Sequence, residues 1–118
     1  MNILGIDDNE DILKLLKTVL TSKGHDFTQA LNGKDGIKLI EEQNFDVILL
    51  DLAMPKKDGL TVVKEIIQFD PDAKIILITA SDNQKIIQEC IDSGAKSYIS
   101  KPFDFKGILK AITEILAK

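Results

Sequence analysis

Short apolar runs alternate with longer amphipathic stretches along the whole chain. The strand candidates are residues 2–6, 26–30, 46–51, 74–79 and 97–100. Apolar side chains recur at helical spacing in the stretches that follow them, residues 10–23, 34–43, 59–69, 84–93 and 105–117. Five strands alternating with five helices predict an α/β protein with a parallel sheet. Right-handed crossovers make that sheet doubly wound, with ligands bound beyond the carboxyl ends of its strands.

Residue types refine this pattern. The third and fourth strands are almost entirely Val, Ile and Leu, as expected where helices cover both faces of a sheet. Residues 26–30 are more polar, which predicts an edge strand, whereas residues 97–100 are expected to be buried. Gly24 and Gly94 fit helix stops, and Gly36 inside a helix should cost about 1 kcal/mol relative to Ala.

Length, charge and cysteine content narrow the class of protein. The 118 residues fit one domain, and the net charge of −4 argues against binding nucleic acid by phosphate neutralisation. No apolar run reaches the roughly 18 residues of a membrane span, and the N-terminus has no signal-peptide pattern. The single cysteine, Cys90, excludes an internal disulfide and fits a reducing compartment. We therefore expect a cytoplasmic protein without a membrane partner.

Polar side chains follow four of the predicted strands. Asp7 and Asp8 follow the first, Asp51 the third, Thr79 the fourth and Lys101 the fifth. In a parallel sheet all of them emerge at one edge, where three carboxylates would repel one another unless a divalent cation lies between them. Oxygen ligands favour Mg²⁺, Mn²⁺ or Ca²⁺ over Zn²⁺.

Each of these residues alone has a structural explanation. Asp8 could cap the first helix, Asp51 could begin a turn, Lys101 could be a solvated lysine, and Thr79 could be an ordinary β-branched strand residue. The three carboxylates together with a lysine and a hydroxyl instead favour a site for a hard metal and a phosphoryl group.

The spacing around these residues resembles that of a known family. The chain is similar over essentially its whole length to the receiver domain of two-component response regulators, of the single-domain chemotaxis type. The motifs that carry the resemblance are Ile6-Asp7-Asp8, Leu50-Asp51-Leu52-Ala53-Met54-Pro55 with Asp58-Gly59, Ile78-Thr79-Ala80, Gly94-Ala95, and Tyr98-Ile99-Ser100-Lys101-Pro102-Phe103. It implies a flavodoxin-like sheet of order 2-1-3-4-5, one receiver domain over residues 1–118, and no output domain.

The resemblance also assigns roles around a metal ion. It implies that Asp51 accepts a phosphoryl group from a phosphohistidine, with Mg²⁺ as the cofactor and Mn²⁺ as a substitute. Asp8 and Asp51 would bind the ion directly, Asp7 would act through a bound water, and the backbone carbonyl of Ala53 would complete the site.

The remaining roles concern the response to phosphorylation. The resemblance implies that Lys101 holds a phosphoryl oxygen, that Thr79 moves toward the phosphoryl group, and that Tyr98 turns inward. It also implies a cis bond between Lys101 and Pro102. The output face would consist of the fourth helix, fifth strand and fifth helix, with Lys85, Ile86, Ile87, Gln88, Tyr98 and Lys110 as candidate surface residues.

The expected partners follow from the same resemblance. They are a histidine kinase or phosphotransfer protein, an unidentified downstream protein, and a second copy in a phosphorylation-dependent homodimer. Gly5 departs from the family pattern and should weaken local packing. Ala53 and Ser81 lie where the family controls dephosphorylation, so the lifetime of the phosphorylated state stays open.

Three other functions compete with a signalling switch that catalyses only its own phosphorylation and dephosphorylation. A metal-dependent aspartyl-phosphate phosphohydrolase of the haloacid-dehalogenase type needs a second Asp where Ala53 stands. A flavodoxin-like cofactor protein needs a phosphate loop, whereas the acidic segment after the first strand would repel FMN phosphate. A receiver that works unphosphorylated is disfavoured by the complete set of Asp8, Asp51, Thr79 and Lys101.

Overall fold

The computed structural model describes residues 1–52, 59–79, 84–101 and 105–116, and it contains a five-stranded parallel sheet. The strands are β1 (Asn2–Ile6), β2 (Asp26–Ala30), β3 (Val47–Asp51), β4 (Ile75–Thr79) and β5 (Ser97–Ser100). The helices are α1 (Glu10–Ser22), α2 (Gly33–Glu42), α3 (Gly59–Phe69), α4 (Gln84–Asp92) and α5 (Phe105–Leu116). The strand order β2-β1-β3-β4-β5 confirms the predicted doubly wound, flavodoxin-like architecture.

Alternation along the strands builds a hydrophobic core on each face of the sheet. Leu4, Ile48 and Leu77 point toward the face covered by α2, α3 and α4, where Val62 and Cys90 join them. Ile3, Leu49 and Ile76 point toward the face covered by α1 and α5. Every residue of β3 and β4 is buried, which confirms the interpretation of their continuous apolar runs.

The predicted element boundaries are correct to within one residue in the described parts of the chain, but the prediction for β5 is wrong in one respect. Its residues alternate between partly buried and exposed, and Tyr98 is 43% exposed. The reason is topological, because β5 pairs only with β4 and lies at the edge of the sheet.

Two glycines behave differently from the sequence-based expectation. Gly5 does not weaken the packing, because a Cβ there would lie 2.5 Å from the ring of Phe27 and 3.2 Å from Leu13. The aromatic ring of the neighbouring strand occupies the space that a larger residue would fill. Gly36 lets α2 approach β1, since its Cβ would lie 2.8 Å from Cγ1 of Ile6. The helix-propensity gain expected from Ala at Gly36 is therefore opposed by a steric conflict.

The two predicted helix stops, Gly24 and Gly94, are confirmed. Gly24 and Gly94 have φ angles of 87° and 126°, in the region that side chains disfavour. Gly94 also packs against α3, because a Cβ there would lie 2.7 Å from Ile67, whereas nothing lies within 4 Å of a Cβ at Gly24. Within the described residues, no helix is long and apolar enough to cross a membrane.

Candidate metal centre

The predicted site residues meet at the carboxyl-end edge of the sheet. Asp51 is the last residue of β3, and its backbone lies opposite Ile78, next to Thr79 at the end of β4. Lys101 follows β5, and its backbone N–H donates a hydrogen bond of 2.7 Å to the carbonyl oxygen of Thr79. Asp7 follows β1, whose neighbour is β3. Strand order and register therefore place these side chains together at the carboxyl-end edge of the sheet.

Three carboxyl groups form the centre of this edge. One carboxylate oxygen each from Asp7, Asp8 and Asp51 lies within 4.8 Å of the other two. Asp7 and Asp51 are only 2% and 3% exposed, whereas Asp8 is exposed to solvent. Two buried negative charges at this separation repel one another strongly because little water screens them.

Lys101 supplies a positive charge beside the cluster. Its Nζ lies 3.4 Å from Oδ2 of Asp51, and its side chain remains 24% exposed. The lysine therefore neutralises one carboxylate directly while its ammonium group keeps contact with water. Because the lysine side chain is flexible, its ammonium group can also pair with an oxygen of a group that is added to Asp51.

Asn9 holds the first carboxylate in place, a role that sequence reasoning missed. Its backbone N–H donates to Oδ1 of Asp7 at 2.9 Å. Its side-chain oxygen caps α1 by accepting from the N–H groups of Asp11 and Ile12 at 3.0 and 3.3 Å. The proposed capping role of Asp8 is therefore wrong, since Asn9 supplies the cap. The sequence feature that could have predicted this role is a good helix-capping residue, Asn9, two positions after Asp7.

The electrostatics of Asp7 differ from those of an ordinary carboxyl group. Burial is the main reason that its pKa rises from 3.8 to about 6, and the neighbouring carboxyl group of Asp51 adds to the rise. The Asn9 N–H and the Lys101 charge act in the opposite direction. Two ionised carboxylates repel each other at the separation of Asp7 and Asp51, so a proton or a cation would stabilise the pair.

The donor set fits a hard divalent cation. Oδ2 of Asp7 is buried and has no hydrogen-bond partner among the described residues, so an acceptor is available toward the interior of the cluster. All donors are oxygens, the type that Mg²⁺ and Ca²⁺ prefer. A cation would also offset the charge of Asp51, which adds to the rise in the pKa of Asp7 that burial mainly causes.

The structure brings Asp7, Asp8, Asp51, Thr79 and Lys101 to the same edge, with Thr79 only 2% exposed. Tyr98 lies on the edge strand β5, and its side chain is exposed to solvent. The backbone carbonyl of Ala53, the 101–102 peptide bond and the side chain of Ser81 fall outside the described residues, so their predicted roles stay predictions.

Comparison with known proteins identifies the family to which this chain belongs. The model of the response regulator receiver domain matches residues 3–113. The chain belongs to the response regulator receiver family. It is therefore a receiver of two-component signalling, with an arrangement like that of the chemotaxis protein CheY.

Relatives from distant organisms support this assignment. The chain is 33% identical to chemotaxis protein CheY of Treponema pallidum over 117 residues, which cover 97% of this chain and 81% of that protein. It is 35% identical to chemotaxis protein CheY of Bacillus subtilis over 115 residues, covering 97% and 96% of the two chains.

Solved structures agree in fold and include complexes with magnesium. The receiver resembles CheY in the CheX-CheY-BeF3-Mg complex of Borrelia burgdorferi with a TM-score of 0.94, 31% identity and coverage of 100% and 90%. It resembles the response regulator TrrA of Thermotoga maritima, in complex with Mg(2+)-BeF, with a TM-score of 0.87, 33% identity and coverage of 97% of each chain.

Proposed function

We propose that this receiver is a phosphorylation-controlled switch in which Asp51 accepts a phosphoryl group from a histidine kinase or phosphotransfer protein. The observation that carries the proposal is the contact of a buried Asp51 with Lys101 at 3.4 Å, inside a cluster of two further carboxylates. A nucleophile, a compensating cation and oxygen ligands for a metal are the parts that phosphoryl transfer requires.

The transfer step follows from the position of Asp51. An oxygen of its carboxylate attacks the phosphorus of the donor phosphohistidine, and a new P–O bond forms as the P–N bond breaks. The electron pair of that bond stays on the imidazole nitrogen, and the donor leaves as neutral histidine when the other ring nitrogen of the phosphohistidine carries a proton. Lys101 stabilises the charge spread over the phosphoryl oxygens.

Asp8 and Asp51 would hold Mg²⁺, with Asp7 acting through a bound water and the carbonyl of Ala53 as a further ligand. When bound, the ion neutralises charge on the carboxylates and on the transferred phosphoryl group. The exposure of Asp8 gives a cation a path from solvent, while the burial of Asp7 keeps its charge close to the ion. Mn²⁺ supplies the same type of site because it prefers oxygen ligands.

The response proceeds through Thr79 and Tyr98. A new phosphoryl group on Asp51 attracts the hydroxyl of Thr79, which lies at the end of the adjacent strand. Tyr98, 43% exposed in this structure, then turns inward and changes the surface made by α4, β5 and α5. Ile86 is 41% exposed on α4 and Ile87 is buried, so Ile86 is the isoleucine that this face offers to a downstream protein or a second copy.

The receiver acts on itself rather than on an external substrate, and residues 1–118 make one receiver domain. The absence of an output domain and the cytoplasmic location stay predictions. Among the alternatives, the haloacid-dehalogenase type of phosphohydrolase is disfavoured because Ala53 carries no carboxylate.

Labelling with a small phosphoryl donor tests the acceptor. Acetyl phosphate with Mg²⁺ should add one phosphoryl group, seen by intact-mass analysis, and Asp51→Asn should abolish the gain. Asp26→Asn, an exposed aspartate at the opposite end of the sheet, is the matched control and should be labelled normally. Equal labelling of Asp51→Asn and the unmodified chain would overturn the assignment.

The fluorescence of Tyr98 tests the switch. The chain has one tyrosine and no tryptophan, so tyrosine emission reports on this position alone. Addition of beryllium fluoride and Mg²⁺ should change the emission, whereas Lys101→Ala should retain Mg²⁺ binding and lose the change. An unaltered response in Lys101→Ala would contradict the proposed role of the lysine.

A further inference from the structure

A groove lies at the end of the sheet opposite the carboxylate cluster, between the C-terminal ends of α2 and α3. Its volume is about 380 Å³, and its apolar lining comes from Ile40, Phe45, Ile48 and Phe69. Ile40 and Ile48 are buried in the core, whereas Phe69 is 55% exposed, the highest value among the large apolar residues that the structure describes. Phe69 therefore offers an aromatic surface beside a preformed recess.

The charge that lines the groove is negative. Asp70 lies beside the neutral side chains of Gln43 and Asn44, and the lining contains no lysine or arginine within the described residues. Gln43 and Asp70 directly follow α2 and α3, so the last carbonyl groups of both helices lie at this end. Neither helix has a basic residue in its last turn to offset the negative end of its dipole.

Neighbouring charges increase this negative character. Glu41 and Glu42 are exposed in the last turn of α2, and Asp72 is exposed after α3. The nearest lysines in sequence do not line the groove: Lys38 is exposed on α2 before its last turn, and Lys74 lines a different cavity together with Lys96 and residues of α5. The groove thus combines an apolar floor with a negative rim.

We propose that this groove is a docking site for a segment of a partner protein that carries an apolar anchor side chain next to a lysine or arginine. The anchor covers Phe69 and fills the recess, which provides affinity by burying apolar surface. The basic group lies against Asp70 and the helix carbonyls, which selects against acidic segments.

The choice of a basic partner follows from charge. A second copy of this chain carries a net charge of −4, so bringing it to a negative rim is electrostatically unfavourable. Ile48 lies near the start of β3 and Asp51 at its end, roughly 10 Å apart along the strand. The groove is therefore a surface separate from the phosphoryl site, available whether or not Asp51 is modified.

Two substitutions isolate the two parts of the interaction. Phe69→Ala removes the aromatic contact, and the fold tolerates it because most of this side chain faces solvent. Asp70→Asn keeps an oxygen that can accept the Asp72 N–H, now at 3.1 Å from Asp70 Oδ1, and removes only the charge. Leu15→Ala on α1 is the matched control, because Leu15 is 51% exposed and lies on the other face of the sheet.

The probes are three blocked hexapeptides that differ at two central positions, Phe-Arg, Phe-Glu and Ala-Arg, titrated into ¹⁵N-labelled protein. The Phe-Arg peptide should give saturable amide shifts centred on Gln43, Phe45 and Asp70, and the other two should bind more weakly. Phe69→Ala and Asp70→Asn should each raise the Kd at least about fivefold, whereas Leu15→Ala should not change it.

Several results would overturn the proposal. Absence of saturable shifts at the groove with millimolar Phe-Arg peptide, equal binding of Phe-Glu, or shifts confined to α4, β5 and α5 would each do so. Analytical sedimentation without peptide tests whether the groove instead binds a second copy of the chain. Self-association that Phe69→Ala abolishes would assign the groove to a second copy. Asp51→Asn should bind the peptide normally, so failure of phosphorylation and failure of docking are distinguishable.

Discussion

Replacement of Asp7 by Asn should stabilise the metal-free receiver at neutral pH. The carboxyl group of Asp7 is 2% exposed and lies beside Asp51, and burial and this neighbour raise its pKa to about 6. The amide of Asn can still accept the Asn9 N–H that Asp7 Oδ1 accepts at 2.9 Å. The substitution therefore removes the charge and keeps the local hydrogen bond.

The magnitude follows from the difference in pKa between the two states. With a pKa of 3.8 when unfolded and about 6 when folded, ionisation of Asp7 opposes folding by about 3 kcal/mol. Because the folded pKa is the higher one, the protonated group contributes its full stability below pH 3.8, and this contribution is lost as the pH rises through about 6. Asp7→Asn should thus gain roughly 2–3 kcal/mol at pH 7.5 and little at pH 4.

Urea denaturation followed by circular dichroism, in EDTA, measures this gain. The difference in the free energy of unfolding between Asp7→Asn and the unmodified chain should grow from pH 4 to pH 7.5, at an unchanged slope with urea. With millimolar Mg²⁺ the unmodified chain should recover part of that difference, since a ligand of the folded state adds stability.

Asp8→Asn separates repulsion from metal binding. Asp8 is exposed and does not contribute to the raised pKa of Asp7, so its replacement should hardly change metal-free stability. It should, however, reduce the stabilisation by Mg²⁺ because Asp8 is a proposed ligand.

The prediction for Asp7→Asn would be refuted by either of two results. One is a metal-free Asp7→Asn variant that is no more stable than the unmodified chain at pH 7.5, and the other is a gain in stability that is equal at pH 4 and pH 7.5.

Three further stability predictions use the same denaturation assay. Gly94→Ala should cost more than Gly24→Ala, roughly 2–3 against 1 kcal/mol, because only Gly94 combines positive φ with a close neighbour; equal losses would contradict this reasoning. Asn9→Ala should cost about 1 kcal/mol by loss of the α1 cap, and an unchanged stability would exclude that role. Gly5→Ala should cost roughly 1–3 kcal/mol, and Phe27→Leu should restore part of it; strictly additive losses would argue against their contact.

The part of the fold that the sequence predicts is the part governed by local pattern. The run Val47–Asp51 is continuously apolar up to its final carboxylate, so both its burial and the exit of Asp51 at the sheet edge follow from periodicity. The burial of β5 was wrongly predicted because a four-residue strand is too short for its alternation to be distinguished from a buried run, although Tyr98 is exposed as expected of a surface residue. The aligned strand ends could be predicted because parallel strands share one direction.

Contacts between elements account for what the sequence could not predict. Gly5 alone suggests weak packing, and only the register of β1 with β2 shows that Phe27 fills the space. Likewise Asp8 and Asn9 are both good helix caps, and the hydrogen bonds that the Asn9 side chain accepts from the Asp11 and Ile12 N–H groups decide between them. The raised pKa of Asp7 depends on its burial and on the charge of Asp51, neither of which is local in sequence.

The raised pKa of Asp7 and the affinity for a cation are two measures of one electrostatic free energy. The ionised carboxyl group of Asp7 is destabilised by about 3 kcal/mol, mainly by burial and partly by Asp51, and a cation beside it offsets part of that free energy. Lys101, at 3.4 Å from Asp51, limits this gain because it already neutralises one carboxylate. If Lys101 moves toward a phosphoryl oxygen, Asp51 loses that compensation, so the metal should bind more tightly to the phosphorylated receiver than to the unmodified one.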